Sequence, residues 1–297
     1  MTENNADSCR YAATAGMFDG VHRGHQFVLR QLKEEAARRG LTPLVFTFSR
    51  HPLEVIAPDR APRLLTTPSQ RIELIGELSG IGRVEILEPS PEFLRTTGHD
   101  FLTHLHESYG VDAFVMGFNN RVGSDGATPA ALGNTDVDVL ALTALESRQP
   151  VNSSAVRQAI QSGDIAVAEE ILGHRWLYRG HVVGGKQLGR TIGFPTANIE
   201  GAGPNLILPR TGVYAVDIIL PDGTTHRGMA NIGCRPTVDL PGAPASLEVN
   251  IFGFNGDLYG AQVDIAFLGR LRDEKPFGNL EELRQQLEAD RKAAQNF

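Results

Sequence analysis

RYAATAGMFDGVHRGHQFVLRQLKEEAARR, residues 10–39, sets a short apolar stretch, a glycine-rich turn and an amphipathic run one after another. Arg10–Ala15 has strand composition, and Gln26–Arg39 repeats apolar residues at helical spacing. A strand feeding a helix through a tight turn is the opening of a parallel-sheet unit. The same alternation continues downstream. Leu44–Phe48 is extended, Ser69–Leu78 helical, Val84–Leu87 extended, Asp100–Tyr109 helical and Asp112–Met116 extended. The expected fold for the first half is an α/β sheet with helices on its faces, with ligands at the C-terminal strand ends.

The texture changes after Pro150. Ser153–Ser162 and Asp164–Leu172 predict two short helices, the second capped by Asp164. Beyond Trp176 the chain is rich in Gly, Pro and β-branched residues. Its extended stretches Val213–Leu220, Leu247–Phe252 and Gln262–Phe267 suit a small antiparallel barrel or sandwich. Leu280–Ala294 predicts a closing amphipathic helix with Leu283 and Leu287 on its apolar side. The change of texture puts a boundary between Val151 and Trp176, and we divide the domains as 1–160 and 161–297.

Composition sets the outer limits. A chain of 297 residues suits two domains, and 41% hydrophobic with 21% charged residues is that of a folded protein. With 28 basic and 35 acidic residues the net charge is −7, which gives no general attraction for nucleic acid or anionic membranes. Two distant cysteines, Cys9 and Cys234, offer no disulfide framework. The polar start MTENNADSCR lacks a signal-peptide core, and no apolar run reaches membrane-spanning length. The expectation is a cytoplasmic protein with small-molecule partners.

Two segments carry chemistry. His22 and His25, three apart at a helix start with Gly24 between them, can share one face. Helix N-termini favour anions, and imidazoles there could donate to phosphate oxygens as charge builds up. The pattern suits transfer of a nucleotidyl group with loss of pyrophosphate. Zinc is a poorer fit, since no third ligand has matching spacing. Ser153, Ser154 and Arg157 could clamp a triphosphate, or the serines could simply cap a helix. In the second segment, GRTIGFPTAN (189–198), alternation puts Thr196 and Asn198 on one face as hard-oxygen ligands suited to Mg²⁺. Gly189 and Gly193 would let phosphates approach the backbone; an ordinary Gly/Pro loop is the competing explanation. Glu248, inside the apolar stretch SLEVNIF (246–252), is either a solvent-facing acid or a general base. GHVVGGKQ (180–187) narrowly misses the P-loop pattern, because Gln187 stands where Ser or Thr would bind Mg²⁺.

Taken together, GMFDGVHRGHQ, FTFSRHP and VNSSAVR, followed by GRTIGFPTANI, GVYAV, GMANIGCRPT, LEVNIF and LRDEKPF, resemble the bifunctional prokaryotic riboflavin kinase/FAD synthetase family over nearly the whole chain. The resemblance implies a Rossmann-like nucleotidyltransferase domain followed by a six-stranded riboflavin kinase barrel. It implies ATP as co-substrate, Mg²⁺ as cofactor, and riboflavin, FMN and FAD as substrates and products. By the same resemblance Gly16, Phe18, His22, Gly24 and His25 serve ATP in the first domain, with Ser153, Ser154 and Arg157. Asn119 and Arg121 fall in that domain's flavin-binding string, and Arg272 and Phe277 at the flavin end of the kinase. Thr196 and Asn198 would serve Mg²⁺ and ATP, and Glu248 would take the proton of the ribityl hydroxyl.

Some residues depart from the family pattern. VNSSAVR stands for a string like ISSTRIR, so Ala155 removes one positive charge; Asn119 and Asn120 replace an Asp and an aromatic or His. Asn250 stands where His is common. A kinase with a degenerate first domain and a non-catalytic flavin-binding regulator are therefore the alternatives to a bifunctional enzyme.

Overall fold

The computed structural model describes residues 9–118, 120–144, 147, 150–185, 189, 192–234 and 245–297. The chain forms two compact units, Met1–Pro62 with Pro68–Pro150, and Arg63–Thr67 with Val151–Phe297.

In the first unit five strands, β1 (Tyr11–Ala15), β2 (Thr42–Phe48), β3 (Val84–Leu87), β4 (Val111–Met116) and β5 (Asp138–Ala141), form a sheet in the order β3-β2-β1-β4-β5. Every pairing is parallel. Helices α1 (Arg23–Arg39), α2 (Leu53–Ile56), α3 (Pro68–Ser79) and α4 (Gly98–Tyr109) connect the strands. Side chains alternate between two cores, as the strand period demands. Ala12, Val45 and Val115 face Leu29 and Leu32 of α1 and Ile75 of α3. Ala13, Phe46 and Phe114 face Phe101, Leu102 and Leu105 of α4. Strand order reverses between β1 and β4, and such a switch point opens a crevice at the C-terminal strand ends. The turns after these two strands hold GMFDGVH and GFNNRVG.

Helix α1 begins at Arg23 rather than at Gln26, because the ring of His22 caps it. Its Nδ1 accepts from the His25 amide at 3.3 Å. At the other end Gly40 (φ 67°) closes the helix in the left-handed conformation that glycine adopts at least cost.

In the second unit α5 (Ser153–Ser162) and α6 (Ile165–Leu172) precede six antiparallel strands. These are β6 (Leu177–Val183), β7 (Ala197–Gly201), β8 (Gly212–Ile219), β9 (Thr225–Cys234), β10 (Ala245–Ile251) and β11 (Gln262–Arg272). They close into a barrel in the order β10-β7-β6-β11-β8-β9, which decides between barrel and sandwich. Asp164 caps α6 as expected, accepting from the Val167 amide. Helix α7 (Leu280–Gln295) packs Leu287 and Ala294 against Phe194, Ala215 and Met229. Leu283 is half-buried outside that cluster.

Arg63–Thr67 is part of this second unit although it lies within the first half of the sequence. Leu64 pairs in parallel with Leu206. The buried indole of Trp176 donates to the Leu65 carbonyl at 3.0 Å. Among the described residues, no helix is long and apolar enough to cross a membrane.

Candidate functional site

The turn after β1 is strained in a specific way. Phe18 (φ 47°) and Val21 (φ 40°) both occupy the left-handed region that non-glycine residues avoid, Val21 with a β-branched side chain. Surrounding bonds over-determine it. Gly16 N–H donates to the Phe46 carbonyl at 3.0 Å, and Thr47 Oγ1 and Arg71 Nη1 both donate to the Met17 carbonyl, at 3.1 and 2.9 Å. A Cβ at Gly16 would lie 3.3 Å from the Phe18 ring, so a larger residue there would push on that ring.

His22 and His25 come together as the spacing suggested, but as a stacked pair. Their rings lie 3.6 Å apart at 19°, and Phe18 leans on His25 at 5.0 Å. Burial, His22 and Arg71 hold His25 well below the usual imidazole range, and its Nδ1 is buried without a partner. His25 is therefore a neutral hydrogen-bonding group at neutral pH and supplies no charge. Gly24 is the second residue of α1. Beyond β4, the Asn120 amide donates to the Ala15 carbonyl at 3.4 Å, while Arg121 is exposed. Asn119 lies outside the described residues.

Ser153, Ser154 and Arg157 sit in the first turns of α5, within the second unit. Asn152, not a serine, caps that helix, its Oδ1 accepting from the Ala155 amide at 2.8 Å. The change from Ser to Asn at 152 therefore preserves the cap, since the two residues serve equally there. Arg157 Nε donates to the Arg63 carbonyl at 2.7 Å, which fixes the guanidinium's stem.

The barrel assembles the second constellation from three neighbouring strands. Glu248 on β10 stands directly opposite Asn198 on β7 and Asn231 on β9, so the three side chains share one face. Thr196 joins them, its hydroxyl donating to Glu248 Oε2 at 3.3 Å. Leu247 and Val249, on alternate positions, are buried in the core. Two residues on from Glu248, buried Asn250 donates from Nδ2 to the Pro195 carbonyl at 2.6 Å and pins the start of the PTAN segment. Gly189 is required sterically, because a Cβ there would lie 2.1 Å from the Phe194 carbonyl oxygen; Gly193 turns with φ 82°. A cleft of about 680 Å³ opens beside Thr196, lined by Pro195, Ala197, Val249, Ile251 and the Phe254–Tyr259 loop; Thr196 is the member of the constellation that reaches it. Gly180 lies within β6, an antiparallel strand, so the near P-loop match has no strand-to-helix context; Gln187 itself lies outside the described residues.

The oxygens around Glu248 suit Mg²⁺. Thr196, Asn198 and Glu248 present hydroxyl, amide and carboxylate oxygens on one face, the hard donors that ion takes when phosphates and water complete its shell. A Cβ on Gly185 would fall 1.9 Å from Asn198 Nδ2, so glycine there leaves room for the amide. The residues fit the ion. Among the described residues, no group of three His, Cys, Asp or Glu is placed to hold a metal ion.

Arg272 is committed internally. Its Nε and Nη2 donate to Asp290 of α7 at 2.7–3.0 Å and its Nη1 to the Asp273 carbonyl at 2.9 Å. Its guanidinium also lies 5.9 Å from the ring of half-buried Phe277. Arg272 thus fastens α7 to β11 and orients Phe277. Glu274, two residues on from Arg272, accepts from Asn231 Nδ2 at 3.0 Å. Asn231, Glu274, Asn250 and the 254–259 loop were not singled out as site residues by sequence reasoning, except Asn250 as a departure. What joins Asn231 to Glu248 is strand register, which no spacing encodes.

A strained anion-suited turn at a sheet switch point and a polar barrel face with magnesium-type donors define an enzyme class that handles nucleotide phosphates. Comparison with known proteins narrows this. Residues 4–153 match the FAD synthetase family model and residues 172–297 the riboflavin kinase model. The bifunctional riboflavin kinase/FMN adenylyltransferase of Bacillus subtilis (strain 168) is 36% identical, over 94% of this chain and 90% of that one. That of Escherichia coli (strain K12) is 35% identical over 96% and 91%. A crystal structure described as a macrolide-efflux protein from Streptococcus pneumoniae superposes with a TM-score of 0.85 at 33% identity, covering 97% of this chain and 95% of that one. The chain belongs to the bifunctional riboflavin kinase/FMN adenylyltransferase family.

Proposed function

We propose that the chain carries out two consecutive reactions: ATP phosphorylates riboflavin to FMN and ADP, and a second ATP adenylylates FMN to FAD with release of pyrophosphate. Adenylyl transfer is assigned to residues 1–160 and the kinase to 161–297; the family matches over 4–153 and 172–297 support that order of the two activities.

The observation that carries the kinase reading is the contact of Glu248 with Thr196 beside Asn198. The Glu248 carboxylate takes the proton of the ribityl 5′-hydroxyl, whose oxygen attacks the γ-phosphorus as ADP departs. Thr196 and Asn198 would hold Mg²⁺, which when bound neutralises charge on the transferring phosphate. Gly189 and Gly193 shape the loop beside the triphosphate. Phe277, oriented by Arg272, borders the flavin.

In the second reaction a phosphate oxygen of FMN attacks the α-phosphorus of ATP and pyrophosphate leaves. Gly16, Phe18 and Gly24 shape the turn, and His22 and His25 donate to phosphate oxygens as charge develops. Ser153, Ser154 and Arg157 serve the triphosphate, and Asn119 and Arg121 the flavin. A cytoplasmic setting suits a protein that consumes two ATP, and neither nucleic acid nor membrane enters the scheme.

Purified protein supplied with riboflavin, ATP and Mg²⁺ is expected to yield FMN and then FAD by chromatography. FMN without FAD, even from supplied FMN, would reduce the chain to a kinase with a degenerate first domain. Tight flavin binding with no product would make it a binding protein.

Asn250→Ala tests how the PTAN segment is held. The bond is partly buried, and losing such a hydrogen bond costs about 0.5–1.5 kcal/mol. The expected result is a fall of up to roughly 10-fold in kcat/KM for ATP in FMN formation, with FAD formation from FMN unchanged. Asn250→His, which keeps a ring N–H donor, should recover most of it.

A further inference from the structure

Arg71, on α3, is fully buried, yet among the described residues no carboxylate neutralises it through a hydrogen bond. One nitrogen, Nη1, makes all its oxygen contacts, to the Met17 carbonyl (2.9 Å), the Phe48 carbonyl (2.9 Å) and Thr47 Oγ1 (3.1 Å). These acceptors are neutral. Nε and Nη2 are buried and have no partner. Burying an unpaired cation is expensive, and such a group calls for an account of what its charge does. Its position supplies one. Met17 lies in the strained turn after β1, and Thr47 and Phe48 end β2, so the guanidinium lies under the C-terminal edge of the sheet, where ligands of such folds bind. His25 lies within its electrostatic reach and has an unpartnered buried nitrogen of its own.

We propose that Arg71 is the fixed cation of the adenylyl-transfer site, a positioning residue that anchors the Gly16–Val21 turn through Met17 and sets the local potential for nucleotide phosphates. The inference rests on the adenylyl-transfer reading above. It answers a difficulty in that reading: the chain carries −7 overall, and His25 is held neutral, so the histidine stack cannot be relied on for positive charge. An arginine stays protonated even where burial disfavours its charge. The groups facing it are His25 from α1, and Asp19 of the turn and Glu54 of α2, whose carboxylates favour its charged form. Facing His25 are His22 and Arg71, and both disfavour its protonation. Arg71 therefore acts on phosphate through its field and through the turn it holds, and it keeps His25 unprotonated.

The test compares Arg71→Gln with Arg71→Lys in the full chain. Gln can still donate to the Met17 carbonyl but has no charge; Lys keeps the charge and loses the planar fork. FAD formation from FMN and ATP is measured against pH, with riboflavin phosphorylation as the control for folding. Arg71→Gln should lose about 100-fold in kcat/KM for ATP, and the acid limb of its pH profile should move upward as His25 regains basicity. Arg71→Lys should stay within about 10-fold of wild type with its acid limb unmoved. Riboflavin phosphorylation should be unchanged in both. Arg71→Gln equal to Arg71→Lys, or an acid limb that does not move, would overturn the proposal and leave Arg71 as a structural anchor. If Arg71→Gln loses riboflavin phosphorylation as well, Arg71→Lys decides alone: a loss of about 100-fold or more despite the retained charge would equally overturn it. A wild-type chain that forms FMN but no FAD would instead overturn the adenylyl-transfer reading itself.

Discussion

Glu248→Gln is expected to cut FMN formation at least about 100-fold while FAD formation from supplied FMN stays within a factor of about three. The substitution is nearly isosteric. The Thr196 hydroxyl, which donates to Oε2 at 3.3 Å, can donate to an amide oxygen in the same place. Leu247 and Val249, which anchor β10 in the barrel core, are untouched, and so is the Asn250 bond to Pro195. What disappears is the proton acceptor, and a positioned general base contributes about 10²–10⁴-fold. A solvent-facing acid would give a different result, since its replacement by Gln would leave both activities alone. The assay separates the two, with FMN and FAD resolved at saturating riboflavin and ATP. An unchanged rate of FMN formation would remove Glu248 from the mechanism.

Local pattern carried much of this architecture. Strand and helix alternation was legible because each element of the first unit buries one face, and apolar spacing records that directly. Helix α1 was misplaced by three residues because a histidine is not an expected cap, and only the bond from His25 N–H to His22 reveals it. The assignment of Arg63–Thr67 to the second unit left no trace, since five residues are too short to show a period. In the barrel, Thr196 and Asn198 stood out through their own segment, whereas Asn231 entered only by lying opposite Glu248. Asp290 has the spacing of a surface acid on an amphipathic helix, yet it is buried because Arg272 pairs with it. Arg71 was hidden for the same reason. Charge alone reads as exposure, and only long-range partners such as Met17 and Phe48 show otherwise.

His25→Ala is expected to lower FAD formation from FMN by about 10²–10³-fold, the usual consequence of removing one preorganised donor to a developing oxyanion. Riboflavin phosphorylation should be unchanged, because none of its proposed residues lies in the first unit. His25→Asn, which keeps a neutral donor of similar reach, should retain more activity than Ala; equal loss would mean that the ring's stack on His22, at 3.6 Å, matters more than its N–H. The environment of His25 adds a second readout. Burial, His22 and Arg71 lower its folded-state pKa well below 6.5, so as pH falls through about 6.5 the unfolded chain takes up this proton first. The unfolded state then binds more protons than the native one, and stability falls with pH from there down to the lowered folded value. Above that window the group contributes no pH dependence. Denaturant unfolding of wild type should therefore show a loss of stability below about pH 6.5 that His25→Ala lessens. In the same range wild-type FAD formation should hold up, because the imidazole that meets the phosphate is still unprotonated. A variant that loses adenylyl transfer while losing less stability in acid would separate the chemical role of His25 from its packing, since a packing defect would lower both at every pH.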